Sequence, residues 1–260
     1  MAQIITLLTD FGLQDAYAGV LHGVIHRIAP QATVVDLCHE VPPQDVPAGA
    51  YLLMTAYAYF PEGTIHVAIV DPGVGTERKI VAVQAGSYTF VGPDNGVLRW
   101  VLERAGGLTS AVSVEDPHYR LPQMSNTFHG RDIMAPAAAH LANGVPLAAL
   151  GPPVGKLQGE PFPRPRAEGA RLIGQVIYID HFGNCVTNMP LAPMAQANVE
   201  VRGRRLTLRR TYGEGLPGEP MALVGSAGYL EIAVPGGSAA VALGLQAGMP
   251  VTLLVAGEAR

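Results

Sequence analysis

The chain has 260 residues, of which 48% are hydrophobic and 15% charged, which supplies a sizeable core and excludes a disordered polymer. A net charge of −4 leaves no basic footprint and sets nucleic acid aside as a partner. No run reaches the ~18 uncharged apolar residues of a membrane span. The opening MAQIITLLTDFG lacks a basic n-region, so the expected setting is cytoplasmic, with no membrane partner.

In chain order, IITLLTD (4–10), TVVDLCH (33–39), TIHVAIVD (64–71) and KIVAVQA (79–85) are short apolar or β-branched runs that predict strands. Between the first two, YAGVLHGVIHRIAP spaces Val20, Leu21, Val24, Ile25 and Ile28 as one helical face and stops at Pro30. AGAYLLMTAYAYF predicts a second helix ending at Pro61, and DIMAPAAAHLANG a third, stopped by Gly144. Strand–helix alternation of this kind predicts an α/β domain over 1–155, with a parallel sheet and helices on both faces. The proline-rich stretch 156–170 reads as a linker. Over 171–260, LIGQVIYID, NVEVRG, RRLTLRR, YLEIAVP and PVTLLVA predict a smaller all-β, barrel-like domain.

Ligands of open parallel sheets bind beyond the carboxyl ends of the strands. Three strands here end in aspartate. Asp36 runs on into apolar residues and reads as structural, whereas Asp10 and Asp71 precede glycine-containing loops and read as site residues. His22 and His26 stand four apart on a helix without a third ligand and read as surface groups, so no metal is expected. Cys38 and Cys185 make no disulfide framework and read as small buried hydrophobes. His129 in TFHGRDI precedes a helix: either it belongs to a capping loop, or it presents a polar group at the mouth of the sheet. Asp180, Phe182, Asn184 and Asn188 in IDHFGNCVTN surround a tight turn, which is a polar hairpin tip or a seat for a heterocyclic base.

Taken together, TDFG, VVDLCHEVPPQDVPAGA, YFPEGTIHVAIVDPGVGTERK, FVGPDNGVL, TFHGRDI, IDHFGNCVTN and SAGYLEIA occur in an order that resembles the adenosine-forming S-adenosyl-L-methionine hydrolases. These are also called hydroxide adenosyltransferases and are related to fluorinase and chlorinase. The resemblance implies a homotrimer with sites between subunits, no cofactor, and attack of water or hydroxide on the ribose C5′ with loss of methionine. It implies a catalytic group of Asp71, Arg78 and His129, and Asp10 on the ribose hydroxyls. Asp180 and Asn184 would contact the adenosine, with Phe182 stacking, while Ser226, Glu231 and Val234 would lie on the methionine and adenine side. In the halogenating relatives, positions matching Asp71, His129 and Gly130 carry aromatic or hydroxyl residues; this chain has the hydrolase pattern.

The chemistry suits those residue types. A sulfonium is already a good leaving group, so the difficulty is holding a poor nucleophile in line. Arg78 stays cationic and favours hydroxide character in a bound water, and Asp71 or His129 can take its proton or orient it. Two other readings remain at this stage, a non-catalytic sensor of S-adenosylmethionine or adenosine, and a halogenase. The first would use the same binding residues without needing Asp71 and Arg78.

Overall fold

A computed structural model describes residues 3–192 and 197–255. The chain divides into two compact units, residues 1–161 and 162–260.

The first unit runs β1 (Ile4–Thr9), α1 (Tyr17–Ile28), β2 (Thr33–Cys38), α2 (Val46–Ala56), β3 (Ile65–Ile69), β4 (Ile80–Ala85), β5 (Tyr88–Pro93), α3 (Arg99–Arg104), β6 (Ser110–Ser113) and α4 (Ala135–Ala142). Its sheet has the order β2-β1-β3-β5-β4-β6. Strands β2, β1, β3 and β5 run parallel to one another. Strand β4 pairs antiparallel with β5 and with β6, so the sheet is mixed. The cause is local: Ala85 pairs with Tyr88 across Gly86 and Ser87, and a two-residue connection can only join antiparallel strands.

Residues 5 to 9 of β1 and all of β3 are buried, and alternate side chains point to opposite faces, so both faces of the sheet are covered. On one face Ile5, Leu7, Val67 and Ile69 pack with Leu21 and Ile25 of α1 and the alanines of α4. Leu21 and Ile25 are fully buried at helical spacing, and each such side chain contributes roughly 1.5–3 kcal/mol. Helix α2, which packs on β1 and α3, begins at Asp45, whose carboxylate accepts the Ala48 N–H at 3.0 Å. The first connection leads from β1 to β2 on one side, and β3 lies on the other side of β1. The chain therefore reverses its direction of winding between β1 and β3, and a crevice opens beyond their carboxyl ends.

The second unit contains β7 (Arg166–Glu168), β8 (Arg171–Ile179), β9 (Cys185–Pro190), β10 (Ala197–Val201), β11 (Arg204–Thr207), β12 (Met221–Val224), β13 (Tyr229–Ala233), α5 (Ala239–Leu243) and β14 (Pro250–Val255). They form an eight-stranded sheet ordered β11-β10-β14-β8-β9-β13-β12, with β7 beside β8. A bridge between Leu208 and Ala222 brings the two edges together, and the sheet curls into a near-barrel around Val176, Met189, Leu230, Ile232, Val251 and Leu253. The run PVTLLVA is strand through Val255; its last residue, Ala256, lies outside the described residues.

Candidate active site

The segment after β3 is a turn whose residues bring position 78 back to position 71. The Val74 N–H donates to the Asp71 carbonyl at 3.2 Å, and the Thr76 N–H and hydroxyl both donate to the Gly73 carbonyl. Gly75 has φ +80°, and a side chain there would stand 2.6 Å from the Asn126 carbonyl oxygen, so glycine is required twice over. The Asn95 amide donates to the Val70 carbonyl and braces the strand end.

The result is a three-residue group. Arg78 Nε donates to Asp71 Oδ1 at 2.8 Å, and Arg78 Nη2 donates to Oδ2 at 2.5 Å. The same Nη2 lies 2.8 Å from His129 Nδ1. Both charged side chains are close to fully buried. A guanidinium has no acceptor, so Nδ1 of His129 must accept, and the neutral ring then carries its proton on Nε2. Burial, and next the Arg78 charge, hold His129 below the ordinary histidine range, outweighing Asp71, so the neutral form is favoured. His129 enters a single π-helical turn, Gly130–Met134, which leads into α4. Asp132 in that turn is wholly buried and anchors it, accepting from Arg131 and from the Ser125 N–H.

A cavity of about 250 Å³ lies against this group, lined by Asp10, Phe11, Gln44, Asp71, Phe128, His129 and neighbouring residues. Asp10, at the end of β1, accepts the Gln44 N–H at 2.8 Å. Gln44 takes the left-handed backbone conformation, with φ 65°, an uncommon state for a side chain of its kind. Phe128 packs edge to face on both Phe11 and Tyr17, which tilt against each other, and the three rings stiffen the wall.

In the second unit a larger recess, about 700 Å³, is lined by Asp180, Phe182, Asn184, Tyr212, Ser226, Glu231, Val234 and the Pro235–Gly237 turn. It gathers Asp180, Phe182, Asn184, Ser226, Glu231 and Val234 from the second-half candidates, and leaves out Asn188. Asp180 shapes the β8–β9 turn: Oδ1 accepts the N–H groups of Phe182 and Asn184, and Oδ2 accepts the Asn184 side-chain amide at 2.9 Å. Gly183 has φ +82°, and a side chain on it would collide with Ser238. Phe182 is 73% exposed, an unusual state for a phenylalanine at the lip of a recess. Glu231 is buried on β13, and burial above all lifts its carboxyl above the usual range. Asp180 adds to the lift, and a hydrogen bond from Tyr212 opposes it.

Other sequence candidates lie elsewhere. His22 Nε2 contacts Asp36 Oδ1 at 2.7 Å, and His26 is exposed. The Asn188 side chain is buried, accepting the Gln175 N–H and donating to the Pro163 carbonyl. Cys185 is buried, its thiol pushed up to about 12 chiefly by burial, whereas Cys38 is only partly covered. Gln44, Phe128 and Tyr212 line the two cavities without having stood out in the sequence. The signal for Gln44 is conformational, and Tyr212 lies in a turn-rich segment with no motif around it.

An α/β unit with a carboxylate, a guanidinium and an imidazole joined at its strand reversal, followed by an antiparallel near-barrel, defines a distinct class of two-unit protein. The chain belongs to the SAM hydroxide adenosyltransferase family: the profile of that family's N-terminal domain matches residues 5–151 and that of its C-terminal domain residues 174–252. It is 48% identical over 256 residues to the (R)-S-adenosyl-L-methionine hydrolase of Thermus thermophilus, a match spanning 95% of this chain and 98% of the relative. It is 30% identical to a fluorinase of Nocardia brasiliensis over 97% of each chain. The crystal structure of an uncharacterized conserved protein from Thermotoga maritima shares the fold with TM-score 0.88 at 35% identity, over 96% of this chain and 99% of that one.

Proposed function

We propose that this protein hydrolyses S-adenosyl-L-methionine to adenosine and L-methionine, with water or hydroxide attacking the ribose C5′. The observation that carries the reading is Arg78 bridging Asp71 and His129 at the edge of the first cavity. The names of the related hydrolases support the same substrate.

In this reading the work is divided between the two partners of Arg78. His129 has its acceptor nitrogen occupied, so it serves as an Nε2–H donor that fixes the orientation of the nucleophile. Asp71 retains lone pairs beyond those that Arg78 uses, and takes a proton from the water. As the oxygen–C5′ bond forms, the C5′–sulfur bond breaks and its electron pair stays on sulfur, giving the neutral thioether of methionine. One water proton remains on the new 5′ hydroxyl, and the other passes from Asp71 to solvent. The leaving group needs no proton and no external electron sink, so the reading invokes no cofactor or metal.

Asp10 is assigned to the ribose hydroxyls, and Asp180, Asn184 and Phe182 to the adenosine. Ser226, Glu231 and Val234 are assigned to the methionine and adenine side. We read the working form as a homotrimer in which neighbouring chains complete each site, and the compartment as the cytoplasm, in keeping with two free cysteines.

The test is turnover in heavy-oxygen water. The label should enter adenosine at its 5′ hydroxyl, with methionine unlabelled. Tight binding without turnover would make the protein a sensor, and halogenated adenosine formed in preference to adenosine at high salt would make it a halogenase.

A further inference from the structure

Tyr212 sits in a short helical turn after β11, and its hydroxyl donates to Glu231 Oε1 at 2.5 Å across the second recess. The turn is held from both ends. Thr211 accepts the Gly213 N–H through its hydroxyl, and Glu214 accepts both the Arg210 N–H and its guanidinium. The tyrosine hydroxyl is therefore delivered to a fixed place.

Glu231 is 6% exposed. The titratable groups facing it are Tyr212, Asp180 from the β8–β9 turn and the Cys185 thiol on β9. None of these is a cation, and among the described residues no cationic side chain lines the recess. Oxygen Oε2 lies 2.5 Å from the point where a side chain on Gly225 would begin, so the absence of that side chain makes the room Oε2 occupies. A carboxylate offers about four acceptor positions, and a single hydroxyl leaves most of them empty. Buried carboxylates in that condition take up either a proton or a cationic ligand. Of the cationic groups a small molecule can bring, a sulfonium has charge but no hydrogen to donate. A primary ammonium has charge and three N–H donors.

We propose that Tyr212 is a positioning residue, which engages Oε1 of Glu231 so that Oε2 is aimed at a primary ammonium group of the ligand. The inference rests on the function proposed above, in which that group is the α-ammonium of S-adenosylmethionine. Tyr212 touches no reacting atom. Its effect reaches the substrate only through Glu231, so it belongs to binding and not to the chemical step.

The experiment compares wild type, Tyr212→Phe, Glu231→Gln and the double variant, using turnover kinetics and calorimetric binding across pH 5 to 8. Losing a hydrogen bond to a charged group corresponds to about a tenfold change. Tyr212→Phe should raise the KM and Kd for S-adenosylmethionine by that factor while kcat stays within about twofold. The acid limb of its kcat/KM profile should move to higher pH, because the hydrogen bond that lowers the Glu231 titration is gone. Adenosine has no ammonium, and its affinity should not change. The double variant should bind S-adenosylmethionine no worse than Glu231→Gln alone, since both changes act through one contact.

Equal weakening of S-adenosylmethionine and adenosine by Tyr212→Phe, with no shift of the pH limb, would make the tyrosine a mere anchor for its turn and overturn the proposal. So would wild-type affinity in the Tyr212→Phe variant, and in that case wild-type turnover would leave the hydrolase reading intact. Conversely, a wild type that binds without turnover would end the hydrolase reading, while the two binding arms would still judge Tyr212.

Discussion

Arg78 has no atom that accepts a hydrogen bond, and this property alone decides which nitrogen of His129 carries the proton. Asp71→Asn and Arg78→Ala should each lower kcat on the order of 10²–10³-fold, as is typical when an electrostatic partner of a developing charge is lost, while Kd changes little. Activity of Arg78→Ala within a few-fold of wild type would remove the group from the mechanism. The same variant offers a second reading by NMR. Arg78 is one of the two main causes lowering the His129 titration, after burial, so its removal should move that titration to higher pH. At this scale the sequence was informative where a turn made chemistry local. DPGVGTER returns Arg78 to Asp71 over seven residues, and both ends of the pair are visible in one motif. Tyr212 was not legible, because its partner lies 19 residues away on β13 and the contact exists only once the sheet has curled.

Strand β3 carries a feature that its apolar pattern conceals. His66 is wholly buried, its Nδ1 2.8 Å from the Thr6 hydroxyl and its ring stacked on Phe90. Burial lowers its titration from 6.5 to about 4. The unfolded chain therefore binds this proton first. The contribution of neutral His66 to stability is complete above pH 6.5 and is lost as pH falls from there towards 4. Integrated over that interval, the loss is about 3 kcal/mol. Urea midpoints measured between pH 4 and 7 should fall with acidity, and His66→Phe should flatten that slope by up to one proton. An unchanged slope would show that His66 is not the group responsible. Strands β1 to β4, β8, β10, β11, β13 and β14 and the three longer helices followed from hydrophobic periodicity, but β5, β6, β7, β9 and β12 did not, and neither did the direction of β4. Periodicity reports which residues are buried, and both a parallel and an antiparallel strand bury them; only the two-residue connection at Gly86 and Ser87 decides.

For the whole molecule, the proposed sites lie in two separate units of the chain, and the proposed trimer makes a quantitative claim. Sedimentation should give three times the 27.3 kDa of one chain. Asp71→Asn lies in the first unit and Asn184→Ala in the second. If each site belongs to a single chain, mixing these two inactive proteins restores nothing, because every chain carries one defect. If neighbouring chains complete each site, some interfaces in mixed oligomers join two intact halves and activity returns. Co-expression or joint refolding, with mixing verified by mass spectrometry, distinguishes the two. A fully active monomer would also end the proposal. The division into an α/β and a β unit was legible because the spacing of apolar residues changes character along the chain. Assembly leaves no such periodic trace in a single sequence.

Gly130 lines the first cavity, and the wall behind it leaves little room for a side chain. A side chain there would begin 3.1 Å from Cδ1 and 3.3 Å from Cγ2 of Ile69, and 3.5 Å from the Phe11 ring. Ile69 is almost wholly buried on β3 and has little room to yield. A side chain at position 130 therefore requires Ile69 to give way by a few tenths of an ångström. Ile69→Val removes Cδ1 and with it the tightest of these contacts. Gly130→Ser should therefore lower the urea midpoint, and adding Ile69→Val to that variant should recover part of the loss; equal midpoints for Gly130→Ser and wild type would show that the wall yields freely.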